Sequence, residues 1–180
     1  IGMQEVPVVY GMTIAEYAFM IAGEKWLSPK ANERFAWYQK ASNSADTPFH
    51  FQVIKCTNYN HKTPYNLPIK PSPNLPDMAS IYWYPSTCFF EGTILSEGRG
   101  TPTPFQVFGH PSLPKNLYSF TPVARPGAAT PKLKDQLCYG WNLAGAPDEI
   151  RKKINGAMQL SYLLEAYKLF PEKEKFFLAP

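Results

Sequence analysis

Residues 85–104 read PSTCFFEGTILSEGRGTPTP, and this stretch decides how the fold of the chain is interpreted. It contains glycines at positions 92, 98 and 100, glutamates at 91 and 97, a single arginine at 99 and six serine or threonine residues. Glycine lets a backbone turn sharply and approach a ligand closely, whereas proline interrupts regular elements. We therefore expect an irregular binding loop in the middle of the chain.

The surrounding sequence is rich in proline, which confines regular elements to its flanks. The chain has 180 residues, 44% of them hydrophobic, which is enough to form the core of one domain of ordinary size. Its 19 prolines are concentrated between residues 64 and 131. Long helices and strands are not expected where prolines are this frequent. The sequence therefore predicts one α+β domain over residues 1–180. That domain would have terminal helices, short strands and an irregular proline-rich middle.

Towards the N-terminus, residues 4–10 predict a short strand and residues 14–26 an amphipathic helix. Thr13 and Glu16 have the spacing of a capping box, in which each side chain binds the backbone of the other residue. Apolar residues at 14, 17, 18 and 21 follow the helical period. Further strands are predicted where apolar, aromatic and β-branched residues cluster: 49–57, 80–84, 105–109 and 117–123.

Two helices are predicted near the C-terminus. Pro147 suits the first turn of a helix that runs to Lys153, and the Asn155-Gly156 pair should break it. Apolar residues repeat with helical spacing between residues 157 and 170, after which Pro171 ends the pattern.

Charge and cysteine content exclude several classes of protein. The net charge is +4, but the basic residues are dispersed and no nucleic-acid motif is present. No apolar run approaches the roughly 20 residues of a membrane span. Cys56, Cys88 and Cys138 form no metal pattern with the three histidines, so we expect no metal and no cofactor. A Cys88–Cys138 disulfide in an oxidising compartment and three half-buried free thiols both remain open.

The central loop does not fit a phosphate-binding loop, but it could serve a glycosidase. Five residues separate Gly92 from Gly98, and Arg99 follows where the nucleotide-binding motif requires lysine. Two carboxylates beside a glycine-rich turn could act as proton donor and as base or nucleophile in glycosidic cleavage. Alternatively, Glu91 caps backbone amides and Glu97 pairs with Arg99, so that both glutamates only hold the loop together.

Other polar and aromatic residues are weaker candidates for ligand contact. Residues 82–84 (YWY) and 37–38 (WY) could stack on a sugar ring, although aromatic residues in a strand more often pack in a core. His61 lies in a polar turn without an evident partner. Residues 71–74 (PSPN) predict a rigid turn that leads into the loop, with possible ligand contact by Asn74.

The loop and its surroundings resemble the exo-beta-N-acetylmuramidase family of bacterial peptidoglycan-recycling glycosidases. The resemblance is carried by LPIKPSPNLP at 67–76, YPSTC at 84–88, EGT at 91–93 and SEGRGT at 96–101. It continues in VYGMT at 9–13, PV at 122–123, PG at 126–127, CYG at 138–140 and YLLEAY at 162–167 with FF at 176–177. It covers essentially the whole chain.

The resemblance implies an architecture of which this chain is one part. Family members pair an N-terminal Rossmann-like domain with a C-terminal domain, and the active site lies in the cleft between them. The chain resembles the C-terminal half only, so its own N-terminal domain becomes an expected partner. The principal catalytic acid is expected in that other half, which leaves the catalytic residue here unknown and Glu97 as the candidate. Tyr10 stands where the family has histidine, and Ile94 stands where asparagine is usual.

The implied function is release of non-reducing terminal N-acetylmuramic acid from peptidoglycan fragments in bacterial cell-wall recycling. The alternatives are a non-catalytic saccharide-binding module and a structural docking domain. The expected substrate-binding residues are Arg99, Glu97, Glu91, Thr93, Ser96, Thr101, Asn74 and Tyr10. Arg99 would hold the lactyl carboxylate that distinguishes muramic acid from glucosamine. Glu91 and Glu97 would mainly hold the loop, with Glu97 nearer to the substrate. A peptidoglycan substrate implies a periplasmic or secreted location.

Overall fold

The computed structural model describes residues 11–34 and 53–178, and these form an α+β protein, as the sequence predicts. The chain divides into two compact units, one spanning Tyr10–Pro64 and the other containing Tyr65–Pro180. None of the helices in the described ranges is long and apolar enough to cross a membrane.

The smaller unit contains helix α1, Ile14–Gly23, whose start agrees with the prediction. The Glu16 N–H donates to Thr13 Oγ1 at 3.2 Å and the Thr13 N–H donates to Glu16 Oε2 at 2.8 Å, which completes the capping box. Residues 29–34 are also helical. The predicted strand at 4–10 and the first part of that at 49–57 lie outside the described residues, and residues 53–57 form no strand.

The larger unit begins with helix α2, Met78–Thr87, and here the prediction of a strand over residues 80–84 is wrong. Asp77 caps the helix by accepting a hydrogen bond from the Ser80 N–H at 2.8 Å. A short apolar run fits a buried strand and a buried helix equally well, so periodicity could not distinguish the two. A 3-10 helix, Cys88–Gly92, follows directly and leads into the glycine-rich loop.

Three short strands form an antiparallel sheet in the order β1-β3-β2: β1 is Val107–His110, β2 is Tyr118–Phe120 and β3 is Cys138–Asn142. The first two confirm the predictions at 105–109 and 117–123, whereas the central strand β3 was not predicted. Gly109 lies opposite Gly140, and a Cβ atom on Gly140 would stand 1.9 Å from the Phe108 oxygen. Glycine at this position therefore permits the close approach of the two strands.

Both C-terminal helices are confirmed, with small shifts of their ends. Helix α3 spans Pro147–Ile154, and helix α4 spans Ser161–Leu169, followed by a 3-10 turn at Lys173–Lys175. Asn155 at φ 47° and Gly156 at φ 72° adopt the left-handed conformation that ends α3.

The main core lies between one face of the sheet and helix α4. It also receives two side chains from the central loop, Phe90 and Leu95, both fully buried. Its buried members are Phe90, Leu95, Phe108, Leu113, Ala166, Phe170 and Phe176. The loop is thus anchored in the core on both sides of Gly92.

Candidate functional site

The glycine-rich loop depends on two glycines whose backbone conformations strain other residues. Gly98 and Gly100 have φ values of +85° and +82°. A Cβ atom on Gly98 would stand 2.6 Å from the Val107 oxygen, and one on Gly100 would stand 2.6 Å from the Val123 oxygen. The backbone therefore packs closely against its neighbours on both sides of Arg99.

Arg99 binds both glutamates of the loop. Its Nη1 group donates to Glu97 Oε1 at 3.0 Å, and its Nη2 group donates to Glu91 Oε1. The Glu97 side chain is only 2% exposed, whereas those of Glu91 and Arg99 are 36% and 31% exposed. The ion pairing that the sequence offered as the alternative to catalysis is therefore present. Glu91, not Glu97, is the more accessible of the two carboxylates.

Sequence analysis missed Lys132, which completes this group of charges. Its Nζ atom lies 3.3 Å from Glu97 Oε2 and donates to the backbone oxygens of Phe90, Glu91 and Thr93 at 2.8 to 2.9 Å. Lys132 is 37 to 42 residues further along the chain than the carbonyl groups that it binds, so no local pattern pointed to it. We call Glu91, Glu97, Arg99 and Lys132 the charge cluster.

The charge cluster has no net charge, because its two carboxylates balance its two cations. Burial alone would lower the pKa of the Arg99 guanidinium, but the hydrogen bonds to Glu91 and Glu97 outweigh that effect and raise this pKa above its ordinary value. Arg99 is therefore permanently charged. It uses two of its five N–H groups for hydrogen bonds within residues 53–178.

The hydroxyl groups predicted to bind substrate lie inside the loop. Thr93, Ser96 and Thr101 are buried. Thr93 Oγ1 donates to the Phe90 oxygen at 2.8 Å, Ser96 Oγ accepts from the Gly98 N–H at 3.2 Å, and Thr101 Oγ1 donates to the Gly98 oxygen at 2.7 Å. These contacts shape the loop, and substrate contact by the three residues stays a prediction.

The buried Phe105 lies beside Arg99, and the partly exposed Tyr84 packs against Phe105. The guanidinium carbon lies 4.9 Å from the centre of the Phe105 ring, and Tyr84 packs edge-on against the same ring, also with centroids 4.9 Å apart. Burial raises the pKa of the Tyr84 hydroxyl, and the nearby charge of Glu91 raises it further. Tyr84 thus remains a neutral donor beside Arg99, whereas Trp83 next to it is buried in the core.

The remaining candidates make contacts of their own or lie outside the described residues. The Asn74 side chain donates to the Gly127 oxygen at 2.9 Å, which supports the predicted turn. His61 has a partner after all, because its Nε2 atom lies 2.8 Å from Glu16 Oε2. Ile94 packs against the main core. Tyr10 and the aromatic pair at 37–38 lie outside the described residues.

The cysteines form no disulfide within the described residues. All three are free thiols, exposed at Cys56, half-buried at Cys88 and buried at Cys138. Burial raises the pKa of Cys138 to about 11, and burial together with the Glu91 charge raises that of Cys88. Across residues 11–34 and 53–178, no group of three or more His, Cys, Asp or Glu side chains could hold a metal ion.

The fold places the chain in a structural class that is already known. A crystal structure of a DUF1343 family protein from Bacteroides fragilis NCTC 9343 matches with a TM-score of 0.75 and 44% sequence identity, over 97% of this chain and 44% of that one. Residues 82–178 match the family model described as exo-beta-N-acetylmuramidase NamZ, C-terminal, and residues 1–79 match its N-terminal counterpart. The chain belongs to the exo-beta-N-acetylmuramidase NamZ family.

A curated relative agrees with this assignment. The peptidoglycan beta-N-acetylmuramidase NamZ of Bacillus subtilis (strain 168) is 29% identical over 191 residues, which cover 98% of this chain and 41% of that protein. The chain therefore spans less than half the length of the relatives that it matches. The two family models meet near residue 80, close to the start of α2.

Proposed function

We propose that the chain is part of a glycoside hydrolase that releases non-reducing terminal N-acetylmuramic acid from peptidoglycan fragments. In this proposal the charge cluster and the Tyr84 side chain form part of one wall of the active-site cleft. The observation that carries the proposal is the family match over residues 82–178, which contain the whole charge cluster. The named activity of the Bacillus subtilis relative supports the same reaction.

Arg99 is the group best suited to recognise the substrate. Muramic acid differs from glucosamine by a lactyl ether that carries a carboxylate, and a guanidinium can bind a carboxylate through two parallel hydrogen bonds. Arg99 is partly exposed and keeps N–H groups that donate no hydrogen bond within residues 53–178. The neutral Tyr84 hydroxyl beside it offers a further donor.

The two glutamates divide their roles by exposure. Glu97 is buried between Arg99 and Lys132, so in this arrangement it holds the loop and has almost no surface for a substrate. Glu91 has a third of its side chain exposed and can face a ligand. The principal catalytic acid is expected in the other half of the enzyme, as the family resemblance implies, and the buried Glu97 has little surface from which to reach a glycosidic oxygen.

One observation favours the docking alternative. The charge cluster is neutral as a group, and the buried hydroxyls of the loop bind its own backbone. A loop that satisfies its own polar groups could serve to support a neighbouring domain. This alternative predicts that Arg99 variants lose activity equally on every substrate.

The biological setting follows from the proposed substrate. Peptidoglycan fragments arise from the bacterial cell wall, so we place the protein in cell-wall recycling and in the periplasm or outside the cell.

The proposal is tested by measuring the release of free N-acetylmuramic acid from a muramic-acid-terminated disaccharide by mass spectrometry. We expect release by the full-length gene product and no measurable release by the 180-residue chain alone, because catalysis needs a positioned acid and a second carboxylate in one site. Absence of release by the full-length product would contradict the proposal. Robust release by the 180-residue chain, abolished by Glu97→Gln, would instead make Glu97 the catalytic acid.

A further inference from the structure

The Lys132 ammonium group is surrounded by oxygen atoms. Four of them are backbone carbonyl oxygens: those of Phe90, Glu91, Thr93 and Leu95, at 2.9, 2.9, 2.8 and 3.4 Å from Nζ. The fifth is Glu97 Oε2 at 3.3 Å. We call these five atoms the oxygen cage.

The oxygen cage contains more acceptors than the ammonium group has protons. A lysine Nζ has three N–H groups, while five oxygens lie within 3.4 Å of it. Glu97 Oε2 accepts no hydrogen bond from the described residues, although it is fully buried. Lys132 therefore holds Glu97 by its charge rather than by a directed hydrogen bond. The five oxygens of the cage interact with the ammonium group mainly as with a compact cation.

The cage could not be left empty without cost. The Phe90 oxygen also accepts hydrogen bonds from the Thr93 N–H at 3.0 Å and from Thr93 Oγ1 at 2.8 Å. Lys132 therefore matters most to the oxygens of Glu91, Thr93 and Leu95, which lie at and after the end of the 3-10 helix. Buried carbonyls and a buried carboxylate without a partner are unfavourable. A ring of carbonyl oxygens is also the environment in which proteins replace the hydration shell of potassium.

We infer that the oxygen cage is a site for a monovalent cation, which Lys132 fills with its own ammonium group. Lys132 is then the positioning residue of the charge cluster, because it fixes the backbone at residues 90–95 and the second oxygen of Glu97. A free ammonium or potassium ion should occupy the cage when the side chain is removed. This inference does not depend on the proposed glycosidase activity.

The test compares two variants of the 180-residue chain by thermal unfolding. Lys132→Ala empties the cage, whereas Lys132→Met removes the charge but leaves a side chain of similar length in the same space. Each variant and the wild type is unfolded in choline, sodium, potassium and ammonium chloride at equal ionic strength. Lys134→Ala serves as the control, because the Lys134 side chain is exposed and its Nζ atom makes a long ion pair of 3.9 Å with the exposed Asp135 Oδ2.

We expect both variants to melt below the wild type in choline chloride. Potassium or ammonium should then raise the melting temperature of Lys132→Ala in a saturable way, by about 3 to 6 °C at ten times the dissociation constant. Lys132→Met, Lys134→Ala and the wild type should show no such ion-specific rise.

If Lys132→Ala is unfolded in choline chloride, we expect ammonium chloride to restore its circular dichroism spectrum. Lys132→Ser should behave in the same way. The inference is overturned if the ions raise the melting temperatures of Lys132→Ala and Lys132→Met alike. It is also overturned if no ion raises that of Lys132→Ala or of Lys132→Ser.

Discussion

Glu97 is the residue on which the charge cluster depends most. Its carboxylate is almost fully buried and lies next to Arg99 and Lys132, so its removal leaves two cations close together with one exposed counter-charge. Breaking a buried ion pair by removing one partner is far more costly than losing an exposed one. The two glutamates of the loop should therefore differ sharply in their contribution to stability.

Glu97→Gln should lower the free energy of unfolding by on the order of 2 to 4 kcal/mol, and Glu91→Gln by about 0 to 1 kcal/mol. The exposed Glu165→Gln is a matched control, for which we expect no measurable change. Urea unfolding monitored by circular dichroism gives all three values. Equal losses for Glu91→Gln and Glu97→Gln would show that burial does not distinguish the two carboxylates.

Some residue contacts were accessible from the sequence and others were not. The pairing of Arg99 with Glu91 and Glu97 follows from charges that lie within eight residues of one another. Lys132 approaches the loop through the tertiary fold, so its role needed the structure. The Tyr84 side chain was considered only in a strand context, and the helix places it beside Phe105 instead.

In the glycine-rich loop, which the sequence predicts correctly as irregular, Gly98 and Gly100 are required by the backbone conformation but Gly92 is not. Gly98 has a positive φ and almost touches the Val107 backbone, whereas Gly92 has open space where a Cβ atom would lie. The sequence alone does not distinguish these two glycines, but the structure requires glycine at position 98 and not at position 92.

Gly98→Ala should destabilise the protein by at least about 2 kcal/mol, since it adds left-handed backbone strain and a clash with a carbonyl oxygen. Gly92→Ala, in the same loop, should change the free energy of unfolding by no more than about 0.5 kcal/mol. Chemical denaturation of both variants provides the comparison. A loss for Gly92→Ala as large as that for Gly98→Ala would contradict the loop conformation described above.

Regular elements were predictable where caps and breakers mark their ends. Thr13 with Glu16, Pro147, and Asn155 with Gly156 each fixed a helix boundary. Helix α2 was mistaken for a strand because its apolar run is short, and its cap, Asp77, lies among prolines that suggested a turn. Strand β3 was missed because Gly140 interrupts the pattern that an isolated strand would show.

At the scale of the whole molecule, the chain is an α+β protein of the exo-beta-N-acetylmuramidase NamZ family. The resemblance could be predicted because the central motif extends over many residues, and the α+β class because helix caps and proline-rich stretches mark where elements end. The boundary near residue 80 between the two family matches has no counterpart among the sequence predictions. The central claim is that the charge cluster faces substrate through Arg99.

The most direct test of this claim is Arg99→Lys in the full-length gene product, assayed on matched glycosides of N-acetylmuramic acid and N-acetylglucosamine. The structure shows that Arg99 also braces the loop, so a lower melting temperature is expected whichever role is correct. The ratio of the two kcat/KM values decides between the roles. We predict a loss of roughly 10- to 150-fold on the muramic substrate, equivalent to about 1.5 to 3 kcal/mol, and little change in any activity on the glucosamine substrate. Equal losses on both substrates would contradict the account and leave Arg99 a structural role only.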